Sequence, residues 1–241
     1  MVIAISIGTC FDLHLNYSQA INFVKGFSGA EGIELLFATP KDLFDFEFEK
    51  EDLDFVNSLK FKSIHMPFHE IEYANNLNTK NIIEKGSLIA SQISADYLVF
   101  HPSTIKDYSI LDNSVKNCVE NLNSKEHNKG FQSAQDMAIL LNEYPELGLV
   151  IDTCHMLENN INPESFLDLK DKIMALHLAV QWQQEKRTRT HGFLQENPEQ
   201  LEQIKPLLKL DVPKVIESDF YPEKVLMIGK EIDLIKSFEN K

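Results

Sequence analysis

A chain of 241 residues with 43 % hydrophobic composition is long enough for one closed α/β barrel and can fill its core. Its formal net charge of −14 speaks against a broad, sequence-independent grip on nucleic acid, which neutralises phosphates with basic side chains. No apolar run approaches the roughly 18 residues of a membrane span, and Met1-Val-Ile-Ala-Ile-Ser-Ile-Gly8 lacks the basic start of a signal peptide.

In chain order, short apolar runs alternate with amphipathic stretches. Val2–Ile7 predicts a strand and Tyr17–Phe27 a helix; Gly32–Phe37 is the second strand, followed by a helix near Asp52–Leu59. Strand Ser63–His65, helix Thr79–Ile93 and strands Tyr97–His101 and Asn117–Glu120 come next. A helix near Ser133–Asn142 leads to strand Leu149–Asp152, and one near Pro163–Leu169 to strand Ile173–Leu178. Helix Pro198–Leu208 precedes the last strand, Lys214–Glu217, and Pro222–Phe238 is a final helix. Three helices start on proline, which suits a position whose N–H has no helical partner; Asn162 and Asn197 precede two of them as caps, and Tyr221 less well the third.

Strands alternating with helices imply parallel pairing, and eight such units imply a (β/α)₈ TIM barrel, with residues 1–241 as a single domain. Only 18 residues separate His101 from Glu120, so the connection between strands 4 and 5 must be shortened; an open sheet is the alternative it leaves. Cys10, Cys118 and Cys154 lie far apart with no Cys-x-x-Cys spacing, which predicts a reduced, cytoplasmic protein rather than a disulfide framework.

The chemistry-bearing residues fall at strand ends. His65, His101, Glu120, Asp152, His177 and Glu217 end or nearly end strands three to eight. One histidine or glutamate in such a place is ordinarily a satisfied polar residue at the edge of a core. Six in succession, converging on one barrel mouth, predict a divalent-metal site, because a carboxylate after a Val-Ile run is costly to bury without a partner. Three imidazoles and three carboxylates suit Zn²⁺ or Mn²⁺ better than Ca²⁺. The chain has 21 lysines and two arginines, and both arginines fall in Lys186-Arg-Thr-Arg-Thr-His191. That segment is either a solvated basic loop or a grip for an anionic group.

The block Gly148-Leu-Val-Ile-Asp-Thr-Cys-His155 resembles the Asp-Thr-Cys-His signature of endonuclease IV, in the xylose isomerase-like barrel superfamily. His65-x-Pro67, His101-Pro102, Glu120-Asn121, His177-Leu178 and Glu217 follow the family's order, so the resemblance spans about residues 30–220. It implies one ion on His65 and His101, bridged by Glu120 to a second on Asp152, His177 and Glu217. The family's third ion would take His155 and an Asp-x-His pair, which here reads Arg189-Thr-His191, so the third site should be weakened. The segment after His65, Met-Pro-Phe-His-Glu-Ile-Glu-Tyr73, is acidic where a DNA-reading loop would be basic. The sugar isomerases and epimerases of the same superfamily are similar in Asp-Thr-x-His-Met156 and Gly32-Ile-Glu-Leu35, and imply one ion on Glu120, Asp152, His177 and Glu217.

These observations lead to a two-metal phosphoester hydrolase with Glu120, Glu217 and His155 catalytic and Arg187, Arg189 and His191 holding a small anionic or phosphorylated substrate. Abasic DNA is disfavoured and no membrane is involved. A sugar isomerase or epimerase with Glu120 and Glu217 as acid and base is the alternative, and a non-catalytic metal-dependent binding protein is a third.

Overall fold

The computed structural model describes residues 1–123, 130–184 and 187–238, with the side chains of 183–190 and 223 excepted. Eight parallel strands close into a barrel. They are β1 (Ile3–Ser6), β2 (Gly32–Leu36), β3 (Phe61–His65), β4 (Tyr97–Phe100), β5 (Asn117–Glu120), β6 (Gly148–Asp152), β7 (Ile173–Leu178) and β10 (Lys214–Ile216), with β10 closing the ring between β7 and β1. Closure therefore holds against the open sheet.

Strand alternation separates two apolar layers. Ile5, Ile33, Leu35, Ile64, Leu98, Val119 and Ile151 point outward and pack beneath the helices. Ala4, Phe61, Tyr97, Val99, Cys118, Val150, Ala175 and Val215 fill the barrel interior. Both faces of every strand are covered, as parallel sheets require, so the strands read as near-continuous apolar runs.

The helices are α1 (Tyr17–Lys25), α2 (Pro40–Asp45), α3 (Lys50–Ser58), α4 (Leu77–Ile93), α5 (Ala134–Glu143), α6 (Thr153–Glu158), α7 (Pro198–Leu208) and α8 (Val225–Lys236). Asn197 caps α7 by accepting from the Gln200 N–H, whereas Tyr221 makes no side-chain cap. Asn162 caps a 3-10 helix, Pro163–Lys172, in place of the α-helix that the sequence predicts. The connection from β4 to β5 is indeed short, carrying only the 3-10 turns Pro102–Thr104 and Tyr108–Ile110.

Two short helices, α2 and α6, escape the sequence reading because six residues show too little periodicity. The segment read as a basic loop forms an antiparallel hairpin, β8 (Val180–Gln184) with β9 (Arg187–Gly192), placed after β7. No helix among the described residues is long and apolar enough to cross a membrane.

Candidate metal centre

Phe61, Ser63 and His65 share the inner face of β3, and the same period of two turns Glu120, Asp152 and His177 inward. His101 and Glu217 lie one residue beyond β4 and β10. All six meet at the carboxyl end of the barrel. His65 Nε2 is 3.1 Å and His101 Nε2 3.5 Å from Glu120 Oε2; His177 Nδ1 is 3.3 Å from Glu120 Oε1 and 3.1 Å from Glu217 Oε1. Among the described residues, potential ligand atoms fall into three overlapping groups: His65, His101 and Glu120; Glu120, Asp152, His177 and Glu217; and Asp152, His155 and His191.

Each letter of Asp152-Thr-Cys-His155 has a local task. Asp152 caps α6 by accepting from the His155 N–H at 2.7 Å. Thr153 Oγ1 donates to the Ala179 carbonyl at 2.7 Å, tying α6 to the chain leaving β7. Cys154 Sγ accepts from the His191 N–H at 3.2 Å, which seats the end of β9. That seating brings His191 Nε2 to 3.2 Å from Asp152 Oδ2. Asn121 braces β6 from the side, accepting from the Asp152 N–H at 2.8 Å.

Tautomers follow from partners. His65 Nδ1 lies 3.1 Å from the Met66 carbonyl and His155 Nδ1 2.9 Å from that of Asn121. A carbonyl only accepts, so Nδ1 carries a proton in both rings, and in the neutral form of each ring Nε2 keeps its lone pair. In His65 that lone pair faces the carboxylate of Glu120, a repulsive contact unless a proton or cation lies between them. The donor set therefore fits a divalent ion.

Without an ion, the acids and imidazoles of the cluster set one another's charge. Burial pushes the Glu120 carboxyl up, but His177, His101 and His65 outweigh it and hold it well below the usual range. Asp152 is likewise buried, yet His155 and His191 bring it down to about 2. Burial lowers His191, and Asp152 overrides that and raises it to about 10. Glu217 goes the other way: burial raises it to about 7 despite His177.

A cavity of about 190 Å³ opens onto this cluster, lined by His65, His101, Glu120, His155, His191 and Glu217. Gly8, Phe11, Leu36 and Phe68 also line it, with Phe68 stacked on His101 at 4.6 Å between ring centres. The side chains of Arg187 and Arg189 lie outside the described residues. Sequence reasoning missed three neighbours: Phe68, Asp219 in the cavity wall, and Glu34 beneath His177. The signal for Glu34 was in view, since an acid between Ile33 and Leu35 must face the barrel interior with Leu36.

The closed ring of eight parallel strands with flanking helices is a (β/α)₈ TIM barrel. Its solved structural neighbours agree. They include the probable 3-DHS dehydratase AsbF from Bacillus anthracis, with a TM-score of 0.74 at 14 % identity over 98 % of this chain and 99 % of that one. Endonuclease IV from Thermus thermophilus gives 0.70 at 13 % identity over 100 % and 99 %. A D-tagatose 3-epimerase-like protein gives 0.67 at 15 % identity over 100 % and 97 %. At such identities the likeness is one of fold, and the three names span three reaction types. No protein-family model and no curated relative matches the chain.

Proposed function

We propose that this chain is a divalent-metal-dependent hydrolase of small phosphoesters, working with two ions. One observation carries the reading: Glu120 belongs to two ligand groups at once, with His65 and His101 on one side and Asp152, His177 and Glu217 on the other. A single-ion site has no use for the first pair. Zn²⁺ or Mn²⁺ held there supplies Lewis acidity, polarising phosphoryl oxygens and acidifying water.

The chain's own residues do the rest. Glu120 holds the two groups together, and Glu217 stands beside the cavity, placed to serve as proton acceptor and donor. His155 presents an Nε2 lone pair to the same space. His191, 3.2 Å from Asp152, steadies the anionic group of the substrate, and Arg187 and Arg189 of β9 are assigned the same task. A cavity of about 190 Å³ with Phe11 and Phe68 in its wall favours a small molecule over a DNA strand.

A second reading is a sugar isomerase or epimerase. It is favoured by Glu120 and Glu217 lining one small cavity, where they would act as the two proton-transfer groups. Elemental analysis of the purified protein, joined to a screen of phosphomonoesters, phosphodiesters and ketoses, separates the two. Two ions per chain with chelator-sensitive phosphoester turnover is the expected result. One ion with ketose turnover transfers the assignment to the second reading, and retained ions with no turnover make the protein a metal-dependent binder.

A further inference from the structure

Glu34 lies inside the barrel on β2, fully buried, and belongs to none of the ligand groups at the mouth. Its strand neighbours in register are Ser6 and Ser63, and its Oε2 accepts from Ser63 Oγ at 2.9 Å. The same oxygen lies 3.1 Å from His177 Nε2. On the other edge of that imidazole, Nδ1 is 3.3 Å from Glu120 and 3.1 Å from Glu217, yet it makes no hydrogen bond to either.

We propose that Glu34 is a positioning residue for the metal centre: it takes the Nε2–H of His177 and so aims the Nδ1 lone pair between Glu120 and Glu217, the residues that with it would hold an ion. The inference rests on the metal-dependent reading above and names a residue that reading does not use.

A buried ionised carboxylate is costly, and the alternatives show why one stands here. His65 and His155 have their tautomers set by backbone carbonyls, which orient a ring without charging it. For His177 a serine or glutamine at position 34 would also orient the ring. A carboxylate does more: it polarises the imidazole and raises its strength as a donor, the effect that outer-shell acids have on ligating histidines. His177 is the ligand that needs it, because it is fully buried and its ring meets no carbonyl among the described hydrogen bonds. The glutamate also contributes negative charge beneath a cation, where water cannot screen it.

The test is a titration of the full chain, stripped of metal, with Co²⁺ and Zn²⁺, comparing wild type with Glu34→Gln and Glu34→Leu. Glutamine keeps an acceptor for Nε2–H and loses the charge; leucine loses both. Affinity for one ion should fall roughly tenfold in the first and up to about 100-fold in the second, with a changed Co²⁺ absorption spectrum. Should the leucine variant fail to fold, the isosteric glutamine variant still decides, together with ¹⁵N-histidine spectra showing His177 protonated at Nε2 in wild type. Wild-type affinity and an unchanged spectrum in Glu34→Gln, with His177 in the other tautomer, overturn the assignment of Glu34 alone. A wild-type chain that takes up no ion overturns both this inference and the metal-dependent function.

Discussion

The two ends of the barrel bury charge in opposite ways. At the amino end Lys214 is completely buried, and its ammonium donates to the carbonyls of Leu210 and Val212 at 2.6 and 2.8 Å. Phe61 and Tyr97 close the interior nearby, their ring centres 5.6 Å apart. That charge is satisfied by the backbone beside it. At the carboxyl end Glu120 and His177 are equally buried, and they meet side chains from other strands: Glu120 lies 3.1 Å from His65 and 3.3 Å from His177, and His177 3.1 Å from Glu217. Structural charges end in backbone partners, whereas a functional site gathers like donors from many strands around a space they share.

The largest effect follows from dismantling that space. Glu120→Gln removes the ligand common to two groups, so ion affinity measured by titration should fall more than roughly 100-fold, beyond the loss from an outer-shell residue. Far-UV circular dichroism should be unchanged, since the core layers do not include Glu120. An unfolded Glu120→Gln beside a wild type free of bound metal would make the mouth as structural as the foot.

The same contrast explains how far the sequence could be read. Strand ends were legible because parallel strands buried on both faces leave apolar runs bounded by polar residues, and His65, Glu120 and Asp152 are those bounds. The closed ring followed from eight such runs. The β8–β9 hairpin was not legible: Val180-Gln-Trp-Gln-Gln184 and Arg187-Thr-Arg-Thr-His191 carry too little apolar alternation to declare strands. Nor was the meeting of His191 with Asp152, which depends on Cys154 Sγ and a residue in left-handed backbone at φ 60°. Glu34 was seen on its strand but not recognised, because its partner His177 is 143 positions away.

Glu231 sharpens the comparison, being a buried carboxylate outside the mouth. It accepts from the Leu194 N–H at 2.7 Å, and burial raises it from the ordinary 4.5 to about 7, where Glu120 moves the other way. Between those two values the folded chain keeps a proton that the unfolded chain has lost. The neutral group's contribution to stability is therefore complete below pH 4.5 and declines as pH rises to about 7. At roughly 1.4 kcal/mol per pH unit this amounts to about 3 kcal/mol. Glu231→Gln, neutral at every pH, should match wild type near pH 4 and exceed it by about that margin at pH 8 in denaturant melts. An equal gap at both pH values would show that the carboxyl is not held neutral by the fold.

The smallest effect tests the foot, and it is the one that distinguishes the two ends by what does not change. Lys214→Met keeps the stem's volume and removes the ammonium, leaving the Leu210 and Val212 carbonyls without the donor that now reaches them. Burial already lowers this lysine to about 8 against the opposing charge of Asp211, and the two carbonyls accept from what ammonium remains. Losing the partner of a buried acceptor costs about 1–3 kcal/mol, offset in part by no longer desolvating a cation. Chemical denaturation should therefore show a loss of about 1–2 kcal/mol. Ion affinity at the mouth should stay at the wild-type value, because Lys214 starts β10 and Glu217 lies beyond its other end. A Lys214→Met chain of normal stability but weakened ion binding would mean that the strand transmits what happens at its foot, and the two ends could no longer be treated as independent.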